Sequence, residues 1–175
     1  MFHTTQEKIL NEISAILRGV QEEQVSLLIE AIVQADKIVS CGAGRMGMMA
    51  RAFAMRLGHL DLNSYHLTDC NTPRIGEKDL LLVCSGSGET ITILSLVEIA
   101  KKHQAKVALI TTRVQSRMAA LSDIQVLLPA PPSIQPMTSL TEQSCLLFFD
   151  TLVMLLMKRL NQSPDMLKNK HSILE

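Results

Sequence analysis

Residues 79–90 read DLLLVCSGSGET, an apolar run that gives way to alternating Ser and Gly and then to Glu89-Thr90. Leu80 to Cys84 have the unbroken apolarity of a strand buried on both faces. The residues after Thr90, ITILSLVEIAKK, have helical spacing. A strand passing through a glycine-rich turn into a helix is half of a parallel βαβ unit. The turn also has chemical meaning. Gly permits backbone angles and close approaches that a Cβ forbids. Each Ser adds a hydroxyl, and the first helical turn offers unpaired N–H groups and a partial positive charge. Ser85, Gly86, Ser87, Gly88, Glu89 and Thr90 thus make a candidate oxyanion socket, with phosphate the natural occupant. No Gly-Lys-Ser/Thr follows, so a phosphate monoester fits better than a nucleoside triphosphate. A Ser/Gly turn with a purely structural job is the competing reading.

The same alternation extends along the chain. KIVSCGAGRMG (37–47) is a short apolar strand running into a second Gly-rich turn, followed by a helix over about 45–59. NSYHL (63–67) is a second strand, and the strand ending at Cys84 is the third. A helix is expected over 89–103, strand four at KVALITT (106–112), a short helix at 116–121 and strand five at IQVLLPA (124–130). The Pro-rich segment 129–136 breaks the pattern before a long helix over roughly 140–160. Ser163-Pro164-Asp165 then reads as a cap, a first-turn Pro and a first-turn acid. Ahead of the first strand, Ile9, Ile13, Ile16 and Leu17, then Val25, Leu28, Ile29 and Ile32, mark two helices separated by Gly19.

These elements predict an α/β fold: a three-layer, doubly wound, flavodoxin-like parallel sheet of five strands. It carries an N-terminal helical hairpin (4–35), an α/β core (36–129) and C-terminal helices (140–175), with no linker long enough to divide the chain. The hairpin has no polar cluster suited to chemistry, so packing or subunit assembly is its expected task. Both Gly-rich turns follow strand ends and are expected to face one crevice, where such sheets bind ligands.

Composition narrows the function. The 175 residues are 47% apolar and 3% aromatic, with 17 basic and 17 acidic side chains. That balance gives no field for nucleic acid or a membrane surface. The N-terminal MFHTTQEKILNEI does not read as a signal peptide. The longest apolar stretch, around 145–157, is interrupted by Asp150 and falls short of the roughly 18 residues of a span. A cytoplasmic protein is expected. Cys41, Cys70, Cys84 and Cys145 form no close-spaced pair, so neither a zinc site nor a disulfide is expected. Cys41 and Cys84 end apolar strands and read as small buried hydrophobes.

Gly42, Gly44 and Gly47 fit the dinucleotide pattern G-x-G-x-x-G between a strand and a helix. Asp61 and Asp69 fall near where a ribose-binding acid belongs, yet neither is well placed, and no substrate domain follows. Three glycines serving a tight turn is the plainer alternative.

At this point the motifs match a known family. CGAGRMGMMARAFAMRLGHL, NTPRIGEKDLLLVCSGSGET and SLTEQSCLLFFDTLVMLLMKRL, with the terminal KHSILE, resemble 6-phospho-3-hexuloisomerase, a branch of the sugar isomerase (SIS) fold family. The likeness spans nearly the whole chain. It implies interconversion of D-arabino-hex-3-ulose 6-phosphate and D-fructose 6-phosphate, a step of the ribulose monophosphate pathway of formaldehyde fixation. It further implies a homo-oligomer, a tetramer, with no metal or organic cofactor. Two departures stand out: Met46 where the family pattern usually has Ser, and Cys70-Asn71-Thr72 where it has a Thr-rich run.

Moving a carbonyl between neighbouring carbons through an enediol needs a base for the carbon-bound proton and donors for the developing oxyanion. Glu142 is the expected base: it opens the long helix after the Pro-rich loop, matches the family's Glu, and has apolar neighbours in sequence. A first-turn Glu that only complements the helix dipole is the alternative. His59 and His171 are candidates for shuttling hydroxyl protons, while Gly44 and Arg45 are expected to hold substrate beside the Ser/Gly loop. An arabinose-phosphate type of isomerase and a non-catalytic sugar-phosphate-binding module remain the alternatives.

Overall fold

The computed structural model describes residues 1–173, so the last two residues of the KHSILE ending lie outside the described residues. Helices α1 (Phe2–Arg18) and α2 (Glu22–Gln34) form the hairpin. Strand β1 (Ile38–Gly42) leads into α3 (Gly44–His59), then β2 (Ser64–His66) and β3 (Leu80–Cys84). These are followed by α4 (Ile91–Lys102), β4 (Lys106–Thr111), α5 (Arg117–Leu121), β5 (Ile124–Leu127), α6 (Ser139–Arg159) and α7 (Pro164–Lys170).

All strand pairs are parallel, in the order β2-β1-β3-β4-β5. The chain winds outward from β1 to β2, then crosses back to β3 and winds the other way. The C-terminal ends of β1 and β3 therefore flank the switch point, the place where open sheets leave a crevice. Period-two alternation splits the strand side chains between two cores. Ile38, Leu80, Leu82, Cys84, Ala108 and Ile110 face one layer, packed with α1, α2, α3 and α6. Val39, Cys41, Leu81, Val83, Val107 and Leu109 face the other, against α4 and α5. The expected three layers are present.

Stacking of Phe53 on Phe149, with centroids 4.2 Å apart and planes 6° from parallel, fixes α3 against α6. Helix α6 has the length expected over 140–160, and it is apolar over more of that length than the stretch 145–157 suggested. By length and composition it could cross a membrane, but Phe149, Leu152 and Leu156 are buried in the core beside α3 and the hairpin. Cys41 and Cys84 are buried as expected, and burial pushes the Cys41 thiol up to about 12.

The first Gly-rich turn packs backbone on backbone. A Cβ at Gly42 would fall 2.9 Å from both the Cys84 carbonyl oxygen and the Gly47 nitrogen. These glycines let the end of β1 touch both β3 and the first turn of α3. The two acids weighed for a dinucleotide are engaged elsewhere: Asp61 pairs with Lys170 at 2.7 Å, and Asp69 with Arg51 at 3.2 Å and the His66 N–H at 3.0 Å.

Candidate active site

A cavity of about 580 Å³ opens at the switch point. Its walls come from three helix starts. Ala43 to Met46 belong to the start of α3, Ser85 to Ser87 and Thr90 to the approach to α4, and Pro136 to Ser139 with Glu142 to the start of α6. Three N-termini, on helices of 16, 12 and 21 residues, thus point unpaired N–H groups and partial positive charge into one space. The arrangement suits an anionic ligand.

The Ser/Gly loop is held from below. The Ser85 N–H donates to Ile110 O at 3.0 Å, and Gly86 O accepts from Thr111 Oγ1 (3.1 Å) and Thr112 Oγ1 (2.8 Å). Ser85 is buried and its Oγ accepts the Gly88 N–H at 3.2 Å, so this hydroxyl braces the loop. Ser87 is exposed, its Oγ accepting the Glu89 N–H at 3.2 Å. Gly88 has φ 66°, and a Cβ there would run into the Ser116 side chain, which caps α5.

Two expectations for this loop change. The helix starts at Ile91 with Thr90 as N-cap, not at Glu89. Glu89 lies outside the cavity wall and turns to Arg117, accepting from its N–H at 2.8 Å and its Nε at 2.5 Å. Those Arg117 hydrogen bonds hold the Glu89 carboxyl below its ordinary pKa. Glu89 therefore ties the loop to α5.

Glu142 is 7% exposed and faces the cavity. Its Oε1 accepts from Thr138 Oγ1 at 2.7 Å. Arg45 Nη1 stands 2.7 Å from Oε2 and also donates to Ser139 Oγ at 3.1 Å. Oε2 accepts no well-aligned hydrogen bond from the described residues. The apolar neighbours expected for this carboxylate are replaced, at the carboxylate itself, by a hydroxyl and a guanidinium. One oxygen is anchored by a hydroxyl and the other is paired with a guanidinium. Thr138 and Ser139 escaped the sequence reading, although Ser139, three residues ahead of Glu142, has the spacing of a capping box.

Met46 is buried in the core and also lines the cavity, so a thioether side chain stands at the position where the resembled family usually has Ser. The histidines do not join the cluster within one chain. His59 is the last residue of α3, about 22 Å along the helix from Gly44. There its ring lies 5.4 Å from that of His171. The two expected shuttles are brought to each other, at the helix end opposite Glu142.

With this geometry in place, comparison with known proteins is informative. A model of the SIS domain matches residues 31–155, which span every wall of the cavity. The chain belongs to the SIS domain family. This SIS domain is similar to the 3-hexulose-6-phosphate isomerase of Bacillus subtilis, 33% identical over 96% of each chain. It is 41% identical to the protein of the same name from Mycobacterium gastri, over 70% of this chain and 61% of the other. Among solved structures, a Methanococcus jannaschii protein with an inferred function of 3-hexulose-6-phosphate isomerase superposes with a TM-score of 0.90 at 30% identity. That match covers 98% of this chain and 99% of the other. Family and fold agree with the resemblance carried by the motifs.

Proposed function

We propose that this SIS domain is a phosphosugar isomerase, and specifically that it interconverts D-arabino-hex-3-ulose 6-phosphate and D-fructose 6-phosphate. The observation that carries the reading is Glu142, a buried carboxylate that lines the cavity together with the Ser/Gly loop, its Oε1 anchored by Thr138 and its Oε2 paired with Arg45. The similarity to proteins named for this reaction supports the choice of substrate.

In this mechanism the phosphate sits against the start of α4, held by first-turn N–H groups and the Ser87 and Thr90 hydroxyls. The carbon chain then runs toward α6. The Glu142 carboxylate takes the proton from C2, the C2–C3 double bond forms, and the electrons of the C3 carbonyl pass to its oxygen. Arg45 and the N–H groups opening α3 face the developing oxyanion. The hydroxyl proton passes from O2 to O3 between the neighbouring oxygens of the cis-enediol, and the same carboxyl returns its proton to C3 as the C2 carbonyl forms, so atoms and charge balance over the cycle. The 3-ketose has no hydroxyl placed for an unstrained ring, so ring opening matters only from the fructose side.

The test is a coupled assay with formaldehyde, ribulose 5-phosphate and a hexulose phosphate synthase, read out as fructose 6-phosphate. Sugar-phosphate binding without turnover would instead mark a binding module. The reading includes a homotetramer: exposed Leu10, Leu27, Leu147 and Met154 put apolar surface on the hairpin and α6. Sedimentation at micromolar concentration is expected to show an oligomer, and a monomer would overturn that part.

A further inference from the structure

The sequence assigns the hairpin no chemistry, yet the structure ties it to the catalytic wall at three points. Gln24 of α2 accepts the Leu127 N–H through Oε1 at 3.0 Å, holding the last strand. At the hairpin's turn, a Cβ on Gly19 would fall 2.6 Å from Pro129 Cγ, so the turn rests directly on the start of the Pro-rich loop. Further along that loop, Glu12 of α1 accepts three hydrogen bonds. These come from Ser133 Oγ to Oε2 (2.8 Å), the Ile134 N–H to Oε1 (3.1 Å) and Gln135 Nε2 to Oε2 (3.0 Å).

Three residues after Gln135 comes Thr138, whose hydroxyl anchors Glu142. Pro136, Met137, Thr138 and Ser139 line the cavity. Between the Glu12 anchor and α6, Met137 is almost fully exposed and has φ 55°, a backbone angle a non-glycine residue adopts only where its surroundings impose it. Little else packs on this stretch: Pro131, Pro132, Ile134, Pro136 and Met137 are all exposed. One carboxylate on α1 therefore supplies much of what fixes the loop.

We infer that Glu12 is a positioning residue for the reaction: the hairpin is a template that sets loop 129–138, and through Thr138 it sets the orientation of the Glu142 carboxylate. The phosphate socket lies on the approach to α4 and, among the described residues, shares no hydrogen bond with the hairpin or loop 129–138, so the two halves of the site answer to different supports. The catalytic consequence rests on the isomerase reading, while the loop's attachment can be read without any activity.

Glu12→Ala in the full chain tests both. Displacement of a catalytic group by about 1 Å costs on the order of a hundredfold in rate, so kcat is expected to fall about tenfold to a hundredfold. KM and the inhibition constant of inorganic phosphate are expected to stay within about threefold, because the socket is untouched. Hydrogen exchange at the Ile134 amide is expected to accelerate, since its acceptor is gone. The double variant Ser133→Ala/Gln135→Ala removes the two side-chain donors from the loop without altering α1, and it should reproduce the selective loss of kcat. If Glu12→Ala fails to fold, that double variant decides the matter. Unchanged kcat in the folded variants overturns the inference, as does unchanged exchange at Ile134 in Glu12→Ala. A wild-type chain with no isomerase activity overturns the function instead, and the exchange result still judges the attachment.

Discussion

Replacing Glu142 by Gln keeps the size of the side chain and removes its ability to take a proton from carbon. Its structural cost can be bounded from the site. A Gln carbonyl can still accept from Thr138 Oγ1, which now sits 2.7 Å from Oε1. The amide NH₂ must then face the Arg45 guanidinium, 2.7 Å from Oε2, so two donors oppose each other. Arg45 is about half exposed and can swing into solvent, and the lost ion pair contributes at most about 1 kcal/mol. A buried donor left without a partner costs about 1–3 kcal/mol. Together these predict a destabilisation of about 1–4 kcal/mol, or about 2–16 °C in Tm. The chemical cost is larger. Loss of a general base typically lowers the rate by about 10²–10⁴, equivalent to about 2.7–5.4 kcal/mol of barrier. KM should hold within about threefold, because the phosphate binds on another element. The decisive assay is exchange of the C3 proton of fructose 6-phosphate with deuterated solvent, followed by NMR. It needs only the first half of the reaction and should stop in Glu142→Gln. Exchange that persists while turnover falls would refute Glu142 as the carbon base and return the histidines to consideration.

Ser87→Ala should raise KM and the inhibition constant of phosphate about tenfold, since a hydrogen bond to a charged group contributes about 1.5–3 kcal/mol. Ser87 is exposed, so Tm should not move, and an unchanged KM would exclude this hydroxyl from the socket. Gly88→Ala forces a Cβ onto a left-handed backbone and against Ser116, whose Oγ caps α5 by accepting the Ala119 N–H at 3.1 Å. Urea titration is expected to show a loss of about 2–4 kcal/mol, and a loss under about 1 kcal/mol would contradict this packing. His66 is buried at the end of β2, and burial lowers its pKa below the ordinary 6.5, with Arg51 acting in the same sense and Asp69 and the Gly47 backbone against it. The unfolded chain then binds the proton more tightly than the folded one. Stability from this residue is complete above pH 6.5 and declines as pH falls through the lowered folded value. Denaturant midpoints measured across this range should fall with pH in the wild type and flatten in His66→Gln, and equal slopes in the two proteins would contradict it.

Much of the molecule could be read from local pattern. The unbroken apolarity of Leu80 to Cys84, the spacing of Ile9, Ile13 and Ile16, and the cap at Ser163 each depend on residues within a turn or two of one another. Backbone sterics and helical or strand periodicity operate at that range. The Gly-rich turns at strand ends likewise placed a ligand crevice at the switch point, since parallel winding leaves few options. Glu142 was legible for the same reason, as an acid in the first turn after a Pro-rich break. What the sequence could not decide were choices among partners of equal chemistry. Glu89 had two destinations, ligand or Arg117, and only the seating of α5 against α4 brought Arg117 within reach. His59 lies on the helix that begins at the first turn, and the length of that helix carried it to the far end. Glu12 meets residues 121 to 123 positions away, a pairing that no local rule encodes. Those contacts form only when α1 and α6 bury their apolar faces on the same side of the sheet. Hydrophobic burial is non-directional: it sets which surfaces meet, and the polar groups that end up at hydrogen-bonding distance follow from the packed geometry.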